Sequence, residues 1–301
     1  MLMLIDAANL YFRAFYSSPD TITALDGRPV NAIRGYLDMT AMLIGQRRPT
    51  RHVACLDASW RPDFRVALIP SYKAHRARPD GSEEIPEKLA PQVPLLIEVL
   101  VALGLCATGV PGFEADDVMA TLATRDSDDV AVVSGDRDML ALASDRVRVL
   151  YAGKGISKLA DMGPAEVAEK YGIPAEHYAD FAVLRGDPSD GLPGVAGVGE
   201  KTAAAIVSRF GSIENVVAAV QRGSDGFPAG AANKVLAALD YLAVAPAAVR
   251  CRTDLDIETL DDALPTEPAN PKRLAELEAE LGIGNSIKPV QAAIAGALAA
   301  G

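Results

Sequence analysis

Short apolar runs alternate with longer segments of helical periodicity over the first half of the chain. Five runs of four or five residues are almost wholly apolar, as expected of strands that are buried on both faces of a sheet. Apolar positions recur at helical spacing between and after them, over 39–45, 93–104, 116–125 and 138–143. This strand–helix alternation predicts an α/β domain with a mainly parallel sheet. The predicted strands are 2–5, 52–56, 105–108, 130–133 and 147–151.

The segment 62–90 interrupts this alternation. It is polar, punctuated by proline and basic in its middle, and it lies between two predicted strands. Long insertions between core elements often carry function. We therefore expect 62–90 to be a long loop or a helical insertion close to the functional site.

The pattern changes from about residue 163 onward. Short helices are predicted at 163–173 and 176–186, and a glycine-rich stretch follows at 193–211. No strong strand signal occurs from 160 to 245, and the segment beyond 253 begins acidic and ends rich in alanine. The second half therefore predicts a small helical subdomain followed by a C-terminal segment.

Charge is distributed unevenly along the 301 residues. The formal net charge is −11, yet basic residues outnumber acidic ones in the first 80. A locally basic segment can face a phosphate backbone while other surfaces stay acidic. The apolar start lacks the basic flank of a signal peptide, and no run has the length of a membrane span. The three widely spaced cysteines predict no disulfide framework or zinc site, so the expectation is a cytoplasmic protein.

Acidic side chains follow three of the predicted strands. Asp6 ends the first, Asp57 follows the second, and Asp136 and Asp138 come after the fourth. The carboxyl ends of parallel strands meet at one edge of the sheet, where ligands bind. A single such aspartate is commonly a helix cap or a turn residue. Recurrence at three strand ends favours a shared acidic pocket instead.

A cluster of three carboxylates, Glu114, Asp116 and Asp117, follows the strand at 105–108. Acidic residues in a first helical turn interact favourably with the helix dipole, which is one explanation for the cluster. Because this strand runs to the same edge of the sheet, the other explanation is that all three carboxylates join the acidic pocket. We favour the second explanation.

An acidic pocket of this size needs cations. Crowded carboxylates raise one another's pKa values or recruit a metal. The histidines, His52, His75 and His177, show no ligand spacing, so the donors are oxygen atoms, which suit Mg²⁺ or Mn²⁺. Two such metals activate water and hold the attacking and leaving oxygens of a phosphodiester. The pattern therefore predicts a two-metal site for phosphodiester hydrolysis.

Basic residues in the insertion supply the charge that an acidic pocket lacks. Lys73 and Arg76 lie three apart, so on a helix they share a face and could hold the scissile phosphate. Arg78 extends the basic run, and Tyr72 could stack on a base. The alternative is a solvated basic face. Arg13, after the first strand, contacts either a phosphate or a structural acidic partner.

The glycine-rich stretch 186–206 predicts a helix–hairpin–helix turn that opens a helix. Backbone N–H groups at a helix start can receive a phosphate oxygen without reading base identity, so binding should be salt-sensitive and non-sequence-specific. Asp187 and Asp190 precede the hairpin and either enter the acidic pocket or cap a turn. The residues expected to contact DNA here are Gly197, Gly199, Lys201 and Thr202.

Five stretches occur in a fixed order along the chain. They are LIDAANLYFRAFY, SYKAHR, GFEADDVMATLA, SGDRDML and LRGDPSDGLPGVAGVGEKTAA. Together they resemble a known family, the bacterial 5′ nucleases, which comprise the 5′–3′ exonuclease domain of DNA polymerase I and its stand-alone flap-endonuclease relatives. The resemblance covers roughly residues 1 to 290.

The resemblance implies an α/β fold of the PIN-like type, with a mainly parallel sheet flanked by helices. The nuclease core would occupy 1–160, with a helical arch at about 62–90. A helix–three-turn–helix subdomain for DNA binding would occupy 161–250. The segment 251–301 would pack on the core.

The resemblance also implies roles for individual residues. Lys73 and Arg76 match arch residues that engage the scissile phosphate. Val195, Gly197 and Gly199 match a site where backbone carbonyls hold a monovalent cation, often K⁺. One departure is Gly191, where many relatives have asparagine. The implied ligands of two or more Mg²⁺ or Mn²⁺ ions are Asp6, Asp57, Glu114, Asp116, Asp117, Asp136, Asp138, Asp187 and Asp190.

The function that the resemblance implies is a metal-dependent, structure-selective 5′ nuclease of replication and repair. Its substrates would be flapped, branched or nicked duplex DNA and RNA primers on DNA, and the enzyme would act as a monomer. Two alternatives come from other classes: a nucleic-acid-binding module with a degenerate nuclease fold, and a carboxylate-metal phosphatase acting on small molecules. The first requires gaps among the acidic positions, and the second leaves the hairpin without a role.

Overall fold

The computed structural model describes residues 1–300, and its centre is a six-stranded sheet. The strand order is β3-β2-β1-β4-β5-β6. The first five strands are parallel, and β6 pairs antiparallel with β5 at one edge. The strands are β1 (Leu2–Asp6), β2 (Arg51–Cys55), β3 (Cys106–Thr108), β4 (Val130–Ser134), β5 (Val147–Tyr151) and β6 (Ala160–Met162).

The predicted α/β fold with a mainly parallel sheet is confirmed, and all five predicted strands form. The sequence shows no strong strand signal from 160 to 245, yet β6 forms at the start of that range, from Ala160 to Met162. Three residues with an aspartate in the middle are too short for periodicity to reveal, and β6 forms because β5 offers it a free edge.

Strand β1 lies at the centre, between β2 and β4, and Leu4 aligns with Val53 on one side and Val132 on the other. The strand order reverses at β1, since the strands that follow it in the chain are added first on one side and then on the other. Crevices at such a switch point, beyond the carboxyl ends of the strands, are where ligands bind in open parallel sheets.

Two hydrophobic cores cover the two faces of the sheet, because side chains alternate along each strand. Leu2 and Leu4 face one core, and Met3 and Ile5 face the other. The core on the Met3 side holds five helices: α1 (Ala7–Ser17), α2 (Asn31–Arg47), α4 (Gln92–Leu103), α12 (Pro271–Leu281) and α13 (Gly284–Leu298).

The core on the Leu4 side packs the sheet against helix α5 (Ala115–Arg125) and the helical subdomain. No single helix among residues 1–300 is both long enough and apolar enough to cross a membrane. The helices outside the Met3-side core are α3 (Asp63–Leu68), α5 (Ala115–Arg125), α6 (Pro164–Tyr171), α7 (Tyr178–Arg185), α8 (Glu200–Phe210), α9 (Ile213–Gln221), α10 (Ala231–Ala237) and α11 (Leu239–Val249).

The insertion at 62–90 is helical only over α3 and over a single 3₁₀ turn at Ala74–Arg76. Lys73 precedes that turn in a left-handed conformation, with φ of 47°. The prediction that Lys73 and Arg76 share the face of a helix is therefore wrong. Prolines at several positions in the insertion remove backbone donors and prevent a continuous helix.

The C-terminal segment contacts the sheet edge and the Met3-side core. Leu264 donates its backbone N–H to Thr50 at 2.9 Å, and Arg51 forms a bidentate pair with Asp262. Beyond this contact, α12 and α13 contribute Leu277 and Ile287 to the same core as α2 and α4. The segment thus closes the face of the sheet opposite the helical subdomain.

Candidate active site

A cavity of about 570 Å³ lies at the carboxyl edge of β1, β2 and β4. It is bounded by side chains from five separate parts of the chain, including the start of α1, the start of α5 and the basic turn of the insertion. Its lining residues are Asp6, Ala8, Asn9, Phe12, Arg13, Tyr16, Ser17, Asp57, Lys73, Arg76, Glu83, Glu114, Asp116, Gly135 and Asp136.

Asp6 is the buried carboxylate at the centre of this edge. One oxygen accepts from the Asn9 N–H at 2.9 Å and caps α1, and the other accepts from the Ser134 hydroxyl at 2.7 Å. Burial, together with the nearby charges of Asp57 and Asp136, raises the pKa of Asp6 to about 7. The aspartate therefore both starts a helix and places a carboxyl group in the cavity.

Asp136 and Asp116 bring two more carboxylates to the same place. Asp136 follows β4, and its side chain accepts from the Asp138 N–H at 2.8 Å. Burial raises the pKa of Asp116, and the charges of Asp136 and Asp6 raise it further. All three carboxylates line the cavity, so they meet at the edge of the sheet where the sequence pattern predicted them.

Asp57 and the N-terminus of α5 are joined directly. One oxygen of Asp57 accepts from the Ala115 N–H at 2.7 Å, so this carboxylate caps the helix from another strand. The side chain is exposed at the mouth of the cavity. Asp57 thus combines the capping role and the pocket role, which are alternatives on the sequence alone.

Glu114 is held by three cationic or polar side chains. Its oxygens accept from Arg65 at 2.6 Å and from the Tyr72 hydroxyl at 2.8 Å, and they contact the Lys73 ammonium. Burial raises the pKa of Glu114, and the charges of Lys73 and Arg65 oppose that rise. The contact fixes Lys73 at the wall of the cavity.

Asp117 lies outside the cavity, although the sequence places it beside Asp116. Its two oxygens accept from the Arg65 guanidinium at 2.7 and 2.8 Å, and one also accepts from the Arg252 N–H at 2.8 Å. The side chain is fully buried. The structure therefore removes Asp117 from the predicted set of metal ligands, because successive helical residues point about 100° apart.

A second acidic group adjoins the cavity. Burial raises the pKa of Asp138, and the charges of Asp136, Asp190 and Asp187 raise it further. One oxygen of Asp138 is buried without a hydrogen-bond partner among residues 1–300. Asp187 accepts from Arg185 at 3.2 Å, and its other oxygen caps the turn that follows it.

The basic residues of the insertion are divided between the cavity and other contacts. Lys73 and Arg76 line the cavity. Arg78 lies outside the cavity and donates to the carbonyl of Ile85 at 2.9 Å.

The Tyr72 side chain is 5% exposed, and its hydroxyl donates to Glu114. The prediction that Tyr72 stacks on a base does not hold, because the buried ring presents no free face.

Arg13 lines the cavity from α1, one helical turn from Asn9. Its Nε is buried and has no hydrogen-bond partner among residues 1–300. No acidic partner within salt-bridge distance of Arg13 occurs in that range either. Of the two roles that the sequence left open, the structure therefore offers no support for a structural ion pair.

The glycine hairpin stands apart from the cavity and opens α8. Val195 and Val198 are buried and anchor the hairpin, whereas Gly197 and Gly199 are exposed. No side chain caps the N-terminus of α8, and Lys201 is exposed there, with Thr202 half-buried. The Gly197 carbonyl accepts from the Lys234 ammonium at 2.8 Å. Free N–H groups and a lysine therefore face outward at one helix end.

Sequence reasoning missed Arg65, Glu83 and the aromatic wall formed by Phe12 and Tyr16. Arg65 was one basic residue among many in the insertion, and nothing in its neighbours indicated that it would be 3% exposed. Glu83 enters the cavity through a bridge to Ala77 that proximity in sequence does not reveal. The aromatic residues lie at i and i+4 on α1, a spacing that could have placed both on one face.

The carboxylates do not form a closed cage. Among residues 1–300, no three acidic, histidine or cysteine side chains lie close enough together to enclose a metal ion as they stand. The donor set still fits a hard divalent cation, because the crowded donors are carboxylate oxygens and one oxygen of Asp138 lacks any partner.

Two family models cover most of the chain. Residues 1–172 match the N-terminal resolvase-like domain of 5′–3′ exonucleases, and residues 173–272 match their C-terminal SAM fold. A 5′–3′ exonuclease of Mycobacterium tuberculosis is 50% identical over 97% of both chains. One of Streptomyces coelicolor is 47% identical over 95% of this chain and 97% of the relative.

Solved structures show the same fold at low sequence identity. A complex of the bacteriophage T5 D15 flap endonuclease with DNA and metal ions is 17% identical, with a TM-score of 0.62 over 99% of both chains. Flap endonuclease-1 from Methanococcus jannaschii is 18% identical, with a TM-score of 0.62 over 98% of this chain and 92% of that chain. The predicted resemblance is confirmed, and the chain belongs to the 5′–3′ exonuclease family.

Proposed function

We propose that the acidic cavity is where this nuclease hydrolyses DNA phosphodiesters, and that its preferred substrates are 5′ flaps, 5′ ends and nicks in duplex DNA. The observation that carries the proposal is the meeting of Asp6, Asp57, Glu114, Asp116 and Asp136 in one cavity with Lys73 and Arg76. Carboxylates alone repel a phosphate, so the two basic side chains and bound cations are both needed.

Divalent cations, Mg²⁺ or Mn²⁺, would be held by the cavity carboxylates and by the neighbouring group. When bound, such ions lower the pKa of water and stabilise the charge on a phosphodiester. Asp6 and Asp136 are positioned by Ser134 and by helix or turn N–H groups, so they are held in place before any ion arrives. The proposed ligands are Asp6, Asp57, Glu114, Asp116, Asp136, Asp138, Asp187 and Asp190.

Lys73 and Arg76 would contact the scissile phosphate. Both line the cavity, and Lys73 already points its ammonium at Glu114 inside it. Arg13, which lines the same cavity from α1, would contact a second phosphate, since its guanidinium has no acidic partner among residues 1–300. Cations from two separate parts of the chain would orient the DNA backbone beside the carboxylates.

The hairpin at Val195–Gly199 would bind the duplex outside the cavity. Phosphate oxygens would accept from the free N–H groups of α8 and from Lys201 and Thr202. The hairpin lies apart from the cavity, so only a large substrate can contact both. This separation would favour branched or nicked DNA over small phosphate esters. A K⁺ ion at the carbonyls of Val195 and Gly197 would have to displace Lys234, which donates to Gly197.

The proposal has three further parts. The enzyme would also cleave RNA primers on DNA, it would act as a monomer, and it would work in the cytoplasm, where bacterial chromosomal DNA lies. The SAM-type fold of 173–272 and the uncapped start of α8 support binding of a duplex backbone. Contacts to the phosphate backbone do not depend on base identity, so replication and repair intermediates of any sequence would be substrates.

A cleavage assay on 5′-labelled flap and nicked duplexes tests the proposal. We expect product with Mg²⁺ or Mn²⁺ and none with chelator. Asp136→Ala should abolish cleavage yet retain DNA binding, because its charge lies in the cavity and not at the hairpin. Asp225→Ala, an exposed aspartate on another loop, is the matched control. Normal turnover by the Asp136 variant would contradict the proposal.

The same assay separates the alternatives. A binding module with a degenerate site would bind flap DNA without cutting it under any metal. A phosphatase for small molecules would release phosphate from a simple ester and leave the flap intact. The size distribution of labelled products distinguishes release of single nucleotides from release of a whole flap.

A further inference from the structure

The basic turn of the insertion, residues 71–76, is bound to the acidic turn at 187–191. The Ser71 hydroxyl donates to the carbonyl of Gly191 at 2.7 Å. The Lys73 N–H donates to the carbonyl of Asp190 at 2.9 Å. Arg76 donates to the carbonyl of Ser189 at 2.7 Å and to the Asp190 carboxylate at 3.1 Å. Side-chain and backbone groups thus join the two turns.

Gly191 lies at a close approach between the backbones of the two turns. Its φ is +71°, and a Cβ atom at this position would lie 2.1 Å from the Ser71 carbonyl oxygen and 3.0 Å from the Ser71 carbonyl carbon. Neither neighbour is the end of a flexible side chain. Any larger residue would therefore push the basic turn away from the acidic turn.

Lys73 depends on this docking for its own conformation. It has a φ of 47°, and Arg48 is the only other non-glycine residue with positive φ among residues 1–300. Left-handed backbone is unfavourable for lysine, so it persists where surrounding contacts enforce it. The N–H bond to Asp190 is such a contact, and the conformation directs the ammonium to Glu114 in the cavity.

We infer that Gly191 is a positioning residue for the nuclease reaction. Because glycine has no Cβ, the Ser71 carbonyl can approach residue 191, and the basic turn can bind the acidic turn. The position of the bound turn then determines where the charged groups of Lys73 and Arg76 lie. The inference rests on the proposed function in one respect, namely that Lys73 and Arg76 contact the scissile phosphate. Gly191 itself touches neither substrate nor the reacting atoms.

The chain offers a matched control for Gly191→Ala. Gly172 also has a φ of +71°, and no atom lies within 4 Å of its hypothetical Cβ. Alanine suffers the same backbone strain at both positions, but only at Gly191 does it meet the Ser71 carbonyl. The difference between the two variants therefore isolates the docking contact.

Three measurements on the full chain test the inference. They are the single-turnover cleavage rate at saturating flap DNA with Mg²⁺, the Kd for the same DNA in chelator, and the rate at which trypsin cuts the free protein after Lys73 and Arg76. We expect Gly191→Ala to slow cleavage by roughly 10- to 100-fold, the loss that a misplacement of about 1 Å can cause. Its Kd should stay close to that of Gly172→Ala, and trypsin should cut its basic turn faster.

Ser71→Ala supplies a second, milder variant that keeps the glycine. It removes one hydrogen bond to Gly191, so cleavage should slow by up to about 10-fold and trypsin sensitivity should rise in the same direction. If Gly191→Ala fails to fold, as judged by circular dichroism, this variant carries the test. Wild-type values for Ser71→Ala in both assays would then overturn the inference.

The inference is also overturned if Gly191→Ala and Gly172→Ala share the same cleavage rate and the same trypsin sensitivity. Failure of the wild-type chain to cut any flap DNA would count against the proposed function alone. The trypsin measurement needs neither metal nor substrate, so it still reports whether the basic turn is docked through Gly191.

Discussion

At the scale of single residues, Arg65 organises the wall of the cavity without lining it. Its guanidinium binds Asp117 through two nitrogens, Glu114 through one, and the carbonyl of Ala248 in the helical subdomain through Nε. A buried arginine with this many partners holds two buried carboxylates together at the start of α5. Sequence alone does not distinguish it from exposed arginines, because its partners lie 49 or more positions away.

His52 provides a prediction about pH and stability. Both ring nitrogens are buried without hydrogen-bond partners among residues 1–300, and burial lowers the pKa to about 4. As pH falls below 6.5, the unfolded chain takes up a proton that the folded chain refuses until near pH 4. The free energy of unfolding should therefore fall across this window, by up to about 3 kcal/mol from this residue.

Urea unfolding at about pH 7.5 and about pH 5 measures this effect. His52→Leu removes the titrating group, so its free energy of unfolding should depend less on pH than that of the wild type. His75→Leu, at an exposed position, is the control and should retain the wild-type dependence. Equal pH dependence in all three proteins would show that His52 does not carry the effect.

At the scale of elements, the glycine hairpin and α8 form a unit whose exposed and buried positions follow from the sequence. Val195 and Val198 anchor it in the core, and Gly197, with φ of +74°, makes the turn between them. The contact of Lys234 on α10 with the Gly197 carbonyl was not evident from sequence. An ammonium on that carbonyl competes with any cation that binds there.

We expect Lys234→Met to make DNA binding more dependent on K⁺. Removing the ammonium frees the Gly197 carbonyl, so a monovalent cation can take its place at the hairpin. DNA affinity at constant ionic strength would be compared in KCl and in LiCl. The ratio of DNA affinity in KCl to DNA affinity in LiCl should be larger for the variant than for the wild type.

Lys272→Met, a lysine at the exposed start of α12, controls for the loss of one positive charge. Both substitutions should weaken binding slightly through net charge. If the ratio of affinity in KCl to affinity in LiCl is the same in the wild type and in both variants, Lys234 does not compete with K⁺ for the Gly197 carbonyl.

At the scale of the whole molecule, the C-terminal helices determine how well the Met3-side core is closed. Helix α13 packs along α2, and Ile287 and Val290 are almost fully buried in the core that also holds Met3 and Ile5. The cavity lies at the edge of the same sheet. Residues near the end of the chain therefore stabilise the scaffold of a site built mostly from its first half.

Ile287→Ala should lower the free energy of unfolding by about 2–5 kcal/mol, the range for truncating a buried isoleucine to alanine. Leu298→Ala, on the same helix but 38% exposed, should cost far less. Urea unfolding at neutral pH measures both. Similar losses for the two variants would indicate that α13 is not packed as described.

The sequence by itself determined the strands, the α/β class, the family and the edge of the sheet where the carboxylates meet. It could do so because apolar periodicity and strand-end residues are local signals, and because parallel strands share one direction. It also gave most of the cavity acids, among them Asp6, Asp116 and Asp136.

Only the tertiary structure decided which neighbours in sequence serve different purposes. Asp116 faces the cavity and Asp117 faces Arg65, and the basic turn adopts a left-handed lysine where a helix was expected. The docking of that turn on Gly191 joins segments more than 100 positions apart. Such choices depend on contacts between distant segments, which the local pattern of a chain does not record.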